Sequence, residues 1–158
     1  MKRKQKYKEG DLFVVPLLDG TTATGIIARM TKRRGAKGIL GYFFDQSPEE
    51  LLEIEKSGKL SFKSAVFICR FGDLGLHEES WTVSGSLKNW NPDDWPVPEF
   101  CHQDALSGKW GKRLYSEELE HLTKDFIPIT EEEASTMPQD GFSGADAVII
   151  KLTKLLRE

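Results

Sequence analysis

The chain has 158 residues, enough for one domain with a single core, and its 39% hydrophobic and 30% charged residues are ordinary for a soluble globular protein. No apolar run approaches the ~20 residues that a membrane-spanning helix requires. The basic start resembles the first part of a secretory signal, but the apolar run after it is short, contains Pro16 and lacks a small-residue cleavage site. We therefore expect a cytoplasmic protein with no membrane partner. Cys69 and Cys101 have no ligand-like spacing and are expected to be structural thiols.

The net charge of −3 conceals an uneven distribution along the chain. Residues 1–40 contain ten Lys and Arg against three Asp and Glu, whereas residues 41–158 contain twelve against twenty-two. A basic amino end is compatible with nucleic acid, and an acidic remainder with a basic protein partner. Residues 1–8 are expected to form a basic, flexible tail, and residues 9–158 a single domain.

The first elements are predicted to form a β-hairpin. Leu12 to Leu18 and Thr22 to Met30 are apolar runs that flank Asp19-Gly20, a dipeptide typical of a tight turn with positive φ angles. Pro16 cannot donate to a sheet ladder, so its strand is expected to lie at an edge or to hold a bulge there. A basic loop that contains glycines follows over residues 32–38.

A buried strand and the clearest helix come next. Gly38 to Asp45 is apolar enough to be a strand that is buried on both faces. Ser47 is a good N-cap, Pro48 suits the first helical position, and Glu50 completes a capping box. Gly58 is expected to end this helix.

Short segments dominate the middle of the chain. Three prolines and two tryptophans between Leu87 and Phe100 argue against a regular element there. Strands are predicted over Ser64 to Phe71, Trp81 to Ser84, Lys109 to Tyr115 and Phe126 to Ile129, and a capped acidic helix over Thr130 to Thr136.

The last segment is predicted to be an amphipathic helix with Ser143 as its cap. Its apolar face is expected to pack on the protein's own sheet and to close the core. The predicted fold is α+β: a predominantly antiparallel, strongly bent β-sheet or partly open small barrel, with one mid-chain helix and this C-terminal helix. The residues of the apolar face are Ala145, Val148, Ile149, Leu152, Leu155 and Leu156.

The sequence contains no pattern for catalysis, a cofactor or a metal. The three histidines lack metal-ligand spacing, and neither a phosphate-binding loop nor a nucleophile elbow occurs. Cys101 and His102 are neighbours, but successive strand residues point to opposite faces, which argues against a thiol–imidazole pair. We therefore expect no enzyme, no cofactor and no metal site.

One binding function rests on the basic segment 29–37. A small β-barrel module that binds nucleic acid through this segment is the alternative function. Aromatic residues are not interleaved with these cations, and the remainder of the chain is acidic, so nucleic acid is the less favoured partner. The cations are Arg29, Lys32, Arg33, Arg34 and Lys37.

A second binding function rests on the acidic segment 90–99. It combines Trp90 and Trp95 with Asp93 and Asp94, and its prolines stiffen it, as suits a tight interface with a basic protein. The same tryptophans can instead fill the core while the carboxylates face water.

Five motifs in a fixed order carry a family resemblance. They are Gly10 to Leu17 with Asp19-Gly20 and Gly25, Gly41 to Asp45, Asp73 to Leu76 before Trp81, Trp95 to Phe100, and Gly144 to Leu156. With these motifs, over about residues 8 to 157, the chain resembles the immunity protein 26 family of bacterial polymorphic toxin systems. The resemblance implies a predominantly β fold without a catalytic centre, and an antitoxin that neutralises a cognate toxin domain by binding it.

The acidic loops are the expected toxin-binding surface. Many such toxins are nucleases with cationic clefts, which the net charge of −10 over residues 41–158 would attract. Asp93 and Asp94 are expected to mimic phosphates, while a tryptophan supplies apolar area. The protein can bind either in the active site of the toxin or outside it. The expected toxin-binding residues are Asp73, Glu78, Glu79, Trp90, Asp93, Asp94, Trp95 and Glu99.

Overall fold

The computed structural model describes residues 5–31, 38–122 and 126–158. In these ranges the helices are α1 (Pro48–Lys56), α2 (Leu74–His77), α3 (Glu131–Ala134) and α4 (Ala145–Arg157), and 3-10 turns occupy Phe62–Ser64 and Pro92–Asp94. The strands are β1 (Asp11–Pro16), β2 (Thr22–Met30), β3 (Gly38–Phe44), β4 (Phe67–Gly72), β5 (Thr82–Ser86), β6 (Phe100–Gln103), β7 (Trp110–Arg113), β8 (Ile127–Pro128) and β9 (Phe142–Ser143).

The strands form two sheets. The larger has the order β5-β1-β2-β3-β4-β9, and every neighbouring pair is antiparallel except β4 and β9. The smaller sheet contains β6, β7 and β8. The predicted α+β class with mostly antiparallel strands is confirmed, but the sheet does not close into a barrel. The separate second sheet was not predicted, because β6 follows a proline-rich run and carries no clear alternation.

The large sheet is buried on both faces, because alternate residues of its central strands enter two different cores. Its first face is covered by α4, α2 and Trp81. Its second face is covered by α1, the smaller sheet and the tryptophan loop, which we define as residues 87–99. Side chains on the first face include Phe13, Ile27, Phe43 and Phe71, and those on the second include Leu12, Ile26, Tyr42 and Phe44.

The predicted first hairpin is confirmed, but its turn is longer than expected. Pairing ends at Pro16 and Thr22, and the Leu17 amide donates to the Thr21 carbonyl at 2.8 Å. The prediction that both Asp19 and Gly20 have positive φ is wrong, since only Gly20 does, at 86°. The Asp19 side chain instead accepts a hydrogen bond from the Thr21 amide at 3.0 Å, which stabilises the wider turn.

The position predicted for the Pro16 strand is wrong. β1 lies between β5 and β2 rather than at an edge, and its irregularity falls between Asp11 and Phe13. β5 pairs with β1 only from Asp11 to Val14, so Pro16 lies beyond the end of β5. The missing amide hydrogen therefore leaves no partner unsatisfied on that side.

The predicted caps are confirmed at two helices and wrong at a third. Both capping boxes form, one from Ser47 and Glu50 at α1 and one from Thr130 and Glu133 at α3. At α4 the N-cap is Gly144, without a side-chain hydrogen bond, because Ser143 belongs to β9 and pairs beside β4. The four-residue helix α2 was not predicted.

Helix α4 packs on the first face, as its apolar pattern predicted. Val148 and Leu152 are fully buried there and contribute to the core that includes Phe71. The buried stripe is narrower than expected, because Leu155 remains 53% exposed beside the outer edge of the sheet.

Gln5 and Tyr7 of the expected tail lie against the first face. The Gln5 side chain donates to the Trp81 carbonyl at 2.8 Å, and the Tyr7 hydroxyl donates to the carboxylate of Asp73. Ordered contacts of the domain therefore begin before residue 9. Residues 1–4 lie outside the described ranges.

A buried carboxylate joins the two sheets. Asp140, whose side chain is 1% exposed, accepts from Arg70 of β4 at 3.1 Å and from Arg113 of β7 at 2.9 Å. The Tyr115 hydroxyl donates to it at 2.8 Å, and Arg70 also lies over the Tyr115 ring. Burial opposes ionisation of Asp140, but the bond from Tyr115 and the two guanidinium groups outweigh it and hold the carboxyl pKa below its usual value.

This network predicts a specific acid sensitivity. Because the pKa of Asp140 is lowered by folding, its contribution to stability is complete above the unfolded pKa of about 3.9 and is lost as pH falls through the folded value. Asp140→Asn should lower the free energy of unfolding at pH 7 by about 3 kcal/mol. Urea denaturation between pH 7 and pH 3 should show a smaller loss with acid for this variant than for the wild type. Glu53→Gln, at an exposed carboxylate on α1, is the control, and equal acid sensitivity of wild type and Asp140→Asn would contradict the assignment.

Candidate partner-binding surface

The tryptophan loop is fixed at its beginning by backbone hydrogen bonds. The Leu87 amide donates to the Gly10 carbonyl at 2.8 Å. The Glu55 carboxylate, on α1, accepts from the amides of Lys88 at 2.9 Å and Asn89 at 3.2 Å. The loop is therefore joined both to the hairpin and to α1 before its acidic residues begin.

Arg29 fixes the middle of the loop from below. Its guanidinium donates to the carbonyl oxygens of Pro92 and Trp95, both at 3.1 Å, and to that of Ala28 at 2.7 Å. It also pairs with the carboxylate of Glu117. Arg29 is 3% exposed, so nearly all of its donor groups are used inside the protein.

A β-bulge turns Arg29 toward the loop. Ile27 pairs with Gly41, whereas Arg29 pairs with Leu40, so Ala28 is an extra residue in β2. Ala28 and Arg29 consequently both face the second side of the sheet. In a regular strand Arg29 would point into the first face, away from the loop.

Trp95 forms the floor of the loop. It is 4% exposed, and its ring makes edge contacts with Tyr42 and Phe44 at centroid distances of 5.3 and 6.0 Å. The Tyr42 hydroxyl donates to the Pro96 carbonyl, and burial raises the Tyr42 pKa to about 12. Trp95 was expected to offer apolar area to a partner, but in this structure its side chain positions the loop instead.

Trp90 lies above Trp95, between the loop and the hairpin. The two indoles stack at 6.5 Å with an interplanar angle of 22°, and Trp90 is half-buried. A Cβ atom at Gly10 would lie 2.9 Å from Trp90 Cγ, and Gly10 has a φ of 89°. Gly10 therefore serves both the backbone turn before β1 and the close approach of Trp90.

The acidic residues of the loop face outward. Asp93 and Asp94 occupy the 3-10 turn Pro92–Asp94, which is capped by the Asn91 side chain accepting from the Asp93 amide at 3.1 Å. Both are exposed, and neither carboxylate has an ion-pair partner among the described residues. Glu99 is also exposed and pairs with Lys112 at 3.2 Å.

The other expected acidic loop lies across the opposite face. Asp73 is 9% exposed and accepts from Tyr7, whose pKa is raised by burial and by this bond. The loop then packs on the first face through Trp81, whose ring stacks on Phe13 at 5.7 Å. Only Glu78 and Glu79 of this set are exposed, so the structure does not bring the two acidic loops to one surface.

The basic segment 29–37 is divided by the structure. Arg29 is buried and bonded to the tryptophan loop, so it does not present its guanidinium to solvent. Residues 32–37, which hold the other cations of the alternative nucleic-acid site, lie outside the described ranges. An arginine within the apolar run from Gly25 to Met30 was the sequence signal that could have indicated this internal role.

The described residues offer little support for a metal site, a reactive thiol or a membrane-spanning helix. No three of their His, Cys, Asp and Glu side chains are placed to hold a metal ion together. Cys69 and Cys101 are buried free thiols, and burial raises the pKa of Cys69 to about 12. None of the described helices is long and apolar enough to cross a membrane.

A pair of glycine substitutions tests the contact between Gly10 and Trp90. Gly10 and Gly20 have φ angles of 89° and 86°, but a Cβ at Gly20 would meet nothing within 4 Å. Gly20→Ala should therefore cost only about 1 kcal/mol for the backbone conformation. Gly10→Ala should cost about 1–3 kcal/mol more, because Trp90 must also move. Urea denaturation measures both, and equal costs would contradict a role for the Trp90 contact.

A second pair of substitutions, at Arg29 and Glu117, tests the anchoring role of Arg29. Arg29→Met leaves the Trp95 carbonyl without its donor and the Pro92 carbonyl with only the Trp95 amide, and it should lower the free energy of unfolding by about 3 kcal/mol. Glu117→Gln should cost less than about 1 kcal/mol, since the Glu117 side chain is 69% exposed. Limited proteolysis should cut Arg29→Met faster within residues 88–94. A larger cost for Glu117→Gln than for Arg29→Met would contradict this assignment.

Comparisons with known proteins bear on the identity of the chain. The family model described as Immunity protein 26 matches residues 8–112, a range that contains the hairpin, α1 and both acidic loops. The C-terminal motif at residues 144–156, which contributed to the resemblance seen in the sequence, lies outside this match. The comparison with curated proteins and the comparison with solved structures gave no match. With two thirds of its length matched in this way, the chain belongs to the Immunity protein 26 family.

Proposed function

We propose that this protein is an antitoxin that neutralises a cognate bacterial toxin domain by tight, stoichiometric binding through the tryptophan loop. Its role is binding rather than catalysis, and it acts in the cytoplasm of the cell that makes both proteins. The observation that carries the proposal is the exposed pair Asp93 and Asp94 on a loop whose backbone is fixed on both sides of them, at Lys88 and at Trp95.

Fixed carboxylates suit a high-affinity contact. The 3-10 turn and its Asn91 cap already hold Asp93 and Asp94 in one arrangement, so little backbone freedom is lost when a partner binds. Trp90, on the same loop, is half-buried and would offer its remaining apolar area to the partner. A rigid aromatic group next to charged groups is typical of interface hot spots.

The charge of the surface indicates the kind of partner. Residues 41–158 carry a net charge of −10, so a toxin with a cationic cleft would be attracted over distance and would associate faster. A nuclease toxin is the proposed partner, because its substrate cleft must accept phosphates. Asp93 and Asp94 would then occupy positions that phosphates take in the substrate.

The residues Glu78 and Glu79 are not part of this proposed surface. They lie on the loop that packs on the first face, whereas Asp93 and Asp94 lie on the loop that packs on the second. This separation provides an internal control, because either pair can be reversed in charge without changing the other surface.

Charge reversal distinguishes the two loops. Asp93→Lys with Asp94→Lys should slow association with the purified toxin domain of the neighbouring gene by about tenfold at low salt, because the steering charge is inverted. The dependence of the association rate on salt should become weaker. Glu78→Lys with Glu79→Lys makes the same change in net charge and should leave the rate within about twofold of the wild type.

Stopped-flow measurement at several salt concentrations gives both quantities. Slower association for the Glu78/Glu79 variant alone would indicate that the toxin binds the loop on the first face, not the tryptophan loop. Equal slowing of both variants would show that Asp93 and Asp94 act only through the net charge of the protein and not through a position in the interface. Failure of the wild-type protein to form a complex with that toxin domain or to protect cells from it would overturn the proposed function.

A further inference from the structure

One edge of the large sheet is open next to a groove. β9 pairs with β4 only at Arg70 and Phe71. In the part of the chain that the structure describes, no strand lies on this side of Phe67 to Cys69. The backbone polar groups on this side of the edge therefore have no strand to pair with, and they border a groove of about 660 Å³.

The walls of the groove are apolar with a basic side. Residues 135–139 form one wall, and the second half of α4 forms the other. Val66 and Leu155 are 41% and 53% exposed there and can pack against apolar side chains. Among the described residues that line the groove, Lys151 and Lys154 are the charged ones, and none carries a carboxylate.

We propose that this groove binds an extended, acidic segment of a partner protein, which adds a strand to the edge of β4. Backbone hydrogen bonds to β4 would give affinity, and alternate side chains would give specificity. Carboxylates on the segment would pair with Lys151 and Lys154, while apolar residues between them would contact Val66 and Leu155. This groove is a different surface from the tryptophan loop proposed to bind the toxin, because its lining is basic and the loop is acidic.

The length of the groove limits the segment. Its edge lining runs from Ala65 to Ile68, and four extended residues span about 13 Å. A segment of about four to six residues therefore fills the edge before it meets Phe142 of β9.

Charge favours a foreign acidic segment over a second copy of this chain. Edge-to-edge pairing of two copies would place the same strand in each groove. The sequence from Lys63 to Arg70 contains no Asp or Glu, so a second β4 would offer no carboxylate to Lys151 and Lys154. Symmetric pairing of two β4 strands would therefore leave both lysines without an unlike charge, which an acidic segment of a partner protein would supply.

A peptide of defined composition tests the groove directly. The probe is an eight-residue peptide in which valine alternates with glutamate, added to the full-length, isotope-labelled protein at up to millimolar concentration. Backbone amide NMR shifts should change at residues 65–69 and along the lining of α4, and amide exchange at this edge should slow.

Charge exchange gives the decisive comparison. Lys151→Glu with Lys154→Glu should weaken binding of the glutamate peptide about tenfold, and should create binding of the matching lysine peptide. Lys59→Glu with Lys109→Glu makes the same change in net charge at two exposed sites outside the groove and should leave both affinities unchanged.

Three results would overturn the proposal. One is the absence of shifts at residues 65–69 at millimolar peptide, with the protein folded. Another is equal weakening by the Lys59/Lys109 control, which would indicate only non-specific attraction. The third is protection of this edge that rises with protein concentration when no peptide is present, which would assign the groove to a second copy. None of these results depends on whether a toxin binds the tryptophan loop.

Discussion

The position of the tryptophan loop depends on one buried guanidinium. Arg29 is 3% exposed and would be costly to bury without partners, but its donors reach the carbonyls of Ala28, Pro92 and Trp95 and the carboxylate of Glu117. The bulge at Ala28 is what directs the side chain to this face. Because the same group bonds both the strand and the loop, movement of the loop would remove two of the four partners of Arg29, the carbonyls of Pro92 and Trp95. The exposed acidic turn is therefore held in place through the bulged strand of the large sheet.

The burial of both sheet faces separates the two acidic loops. Central strands with apolar residues on both sides need two covers, and the chain supplies them from different segments. Asp73 to Glu79 belongs to the first cover and residues 87–99 to the second. The acidic residues are thus divided between two surfaces. One of them presents Asp93 and Asp94 on a fixed turn, where neither has an ion-pair partner within the described ranges. The open edge of β4 adds a third surface whose lysines have the opposite sign.

Local chemistry explains which parts of this fold were predictable from the sequence. Ser47 with Glu50 and Thr130 with Glu133 fix helix starts within four residues, so their capping boxes were predicted correctly. The direction of Arg29 depends on the register between β2 and β3, and a one-residue bulge reverses it. The burial and pairing of Asp140 could not be predicted from the sequence either, because its partners Arg70 and Arg113 come from different sheets. For the candidate site, the loop and its exposed carboxylates were predictable, and burial of its tryptophans was one of two alternatives, whereas the deeper burial of Trp95 than of Trp90 and the separation from Glu78 were not predictable.

The anchors of the tryptophan loop act mainly on its backbone. Arg29 and Tyr42 bind carbonyl oxygens of Pro92, Trp95 and Pro96, and Glu55 binds the amides of Lys88 and Asn89. Such contacts hold the main chain whatever side chains the exposed positions carry. Substitutions at Lys88, Asn89, Asp93 or Asp94 can therefore alter charge and shape without removing these anchors. Specificity for one partner over another can then reside in these exposed side chains, while Gly10, Arg29 and Trp95 hold the loop in place.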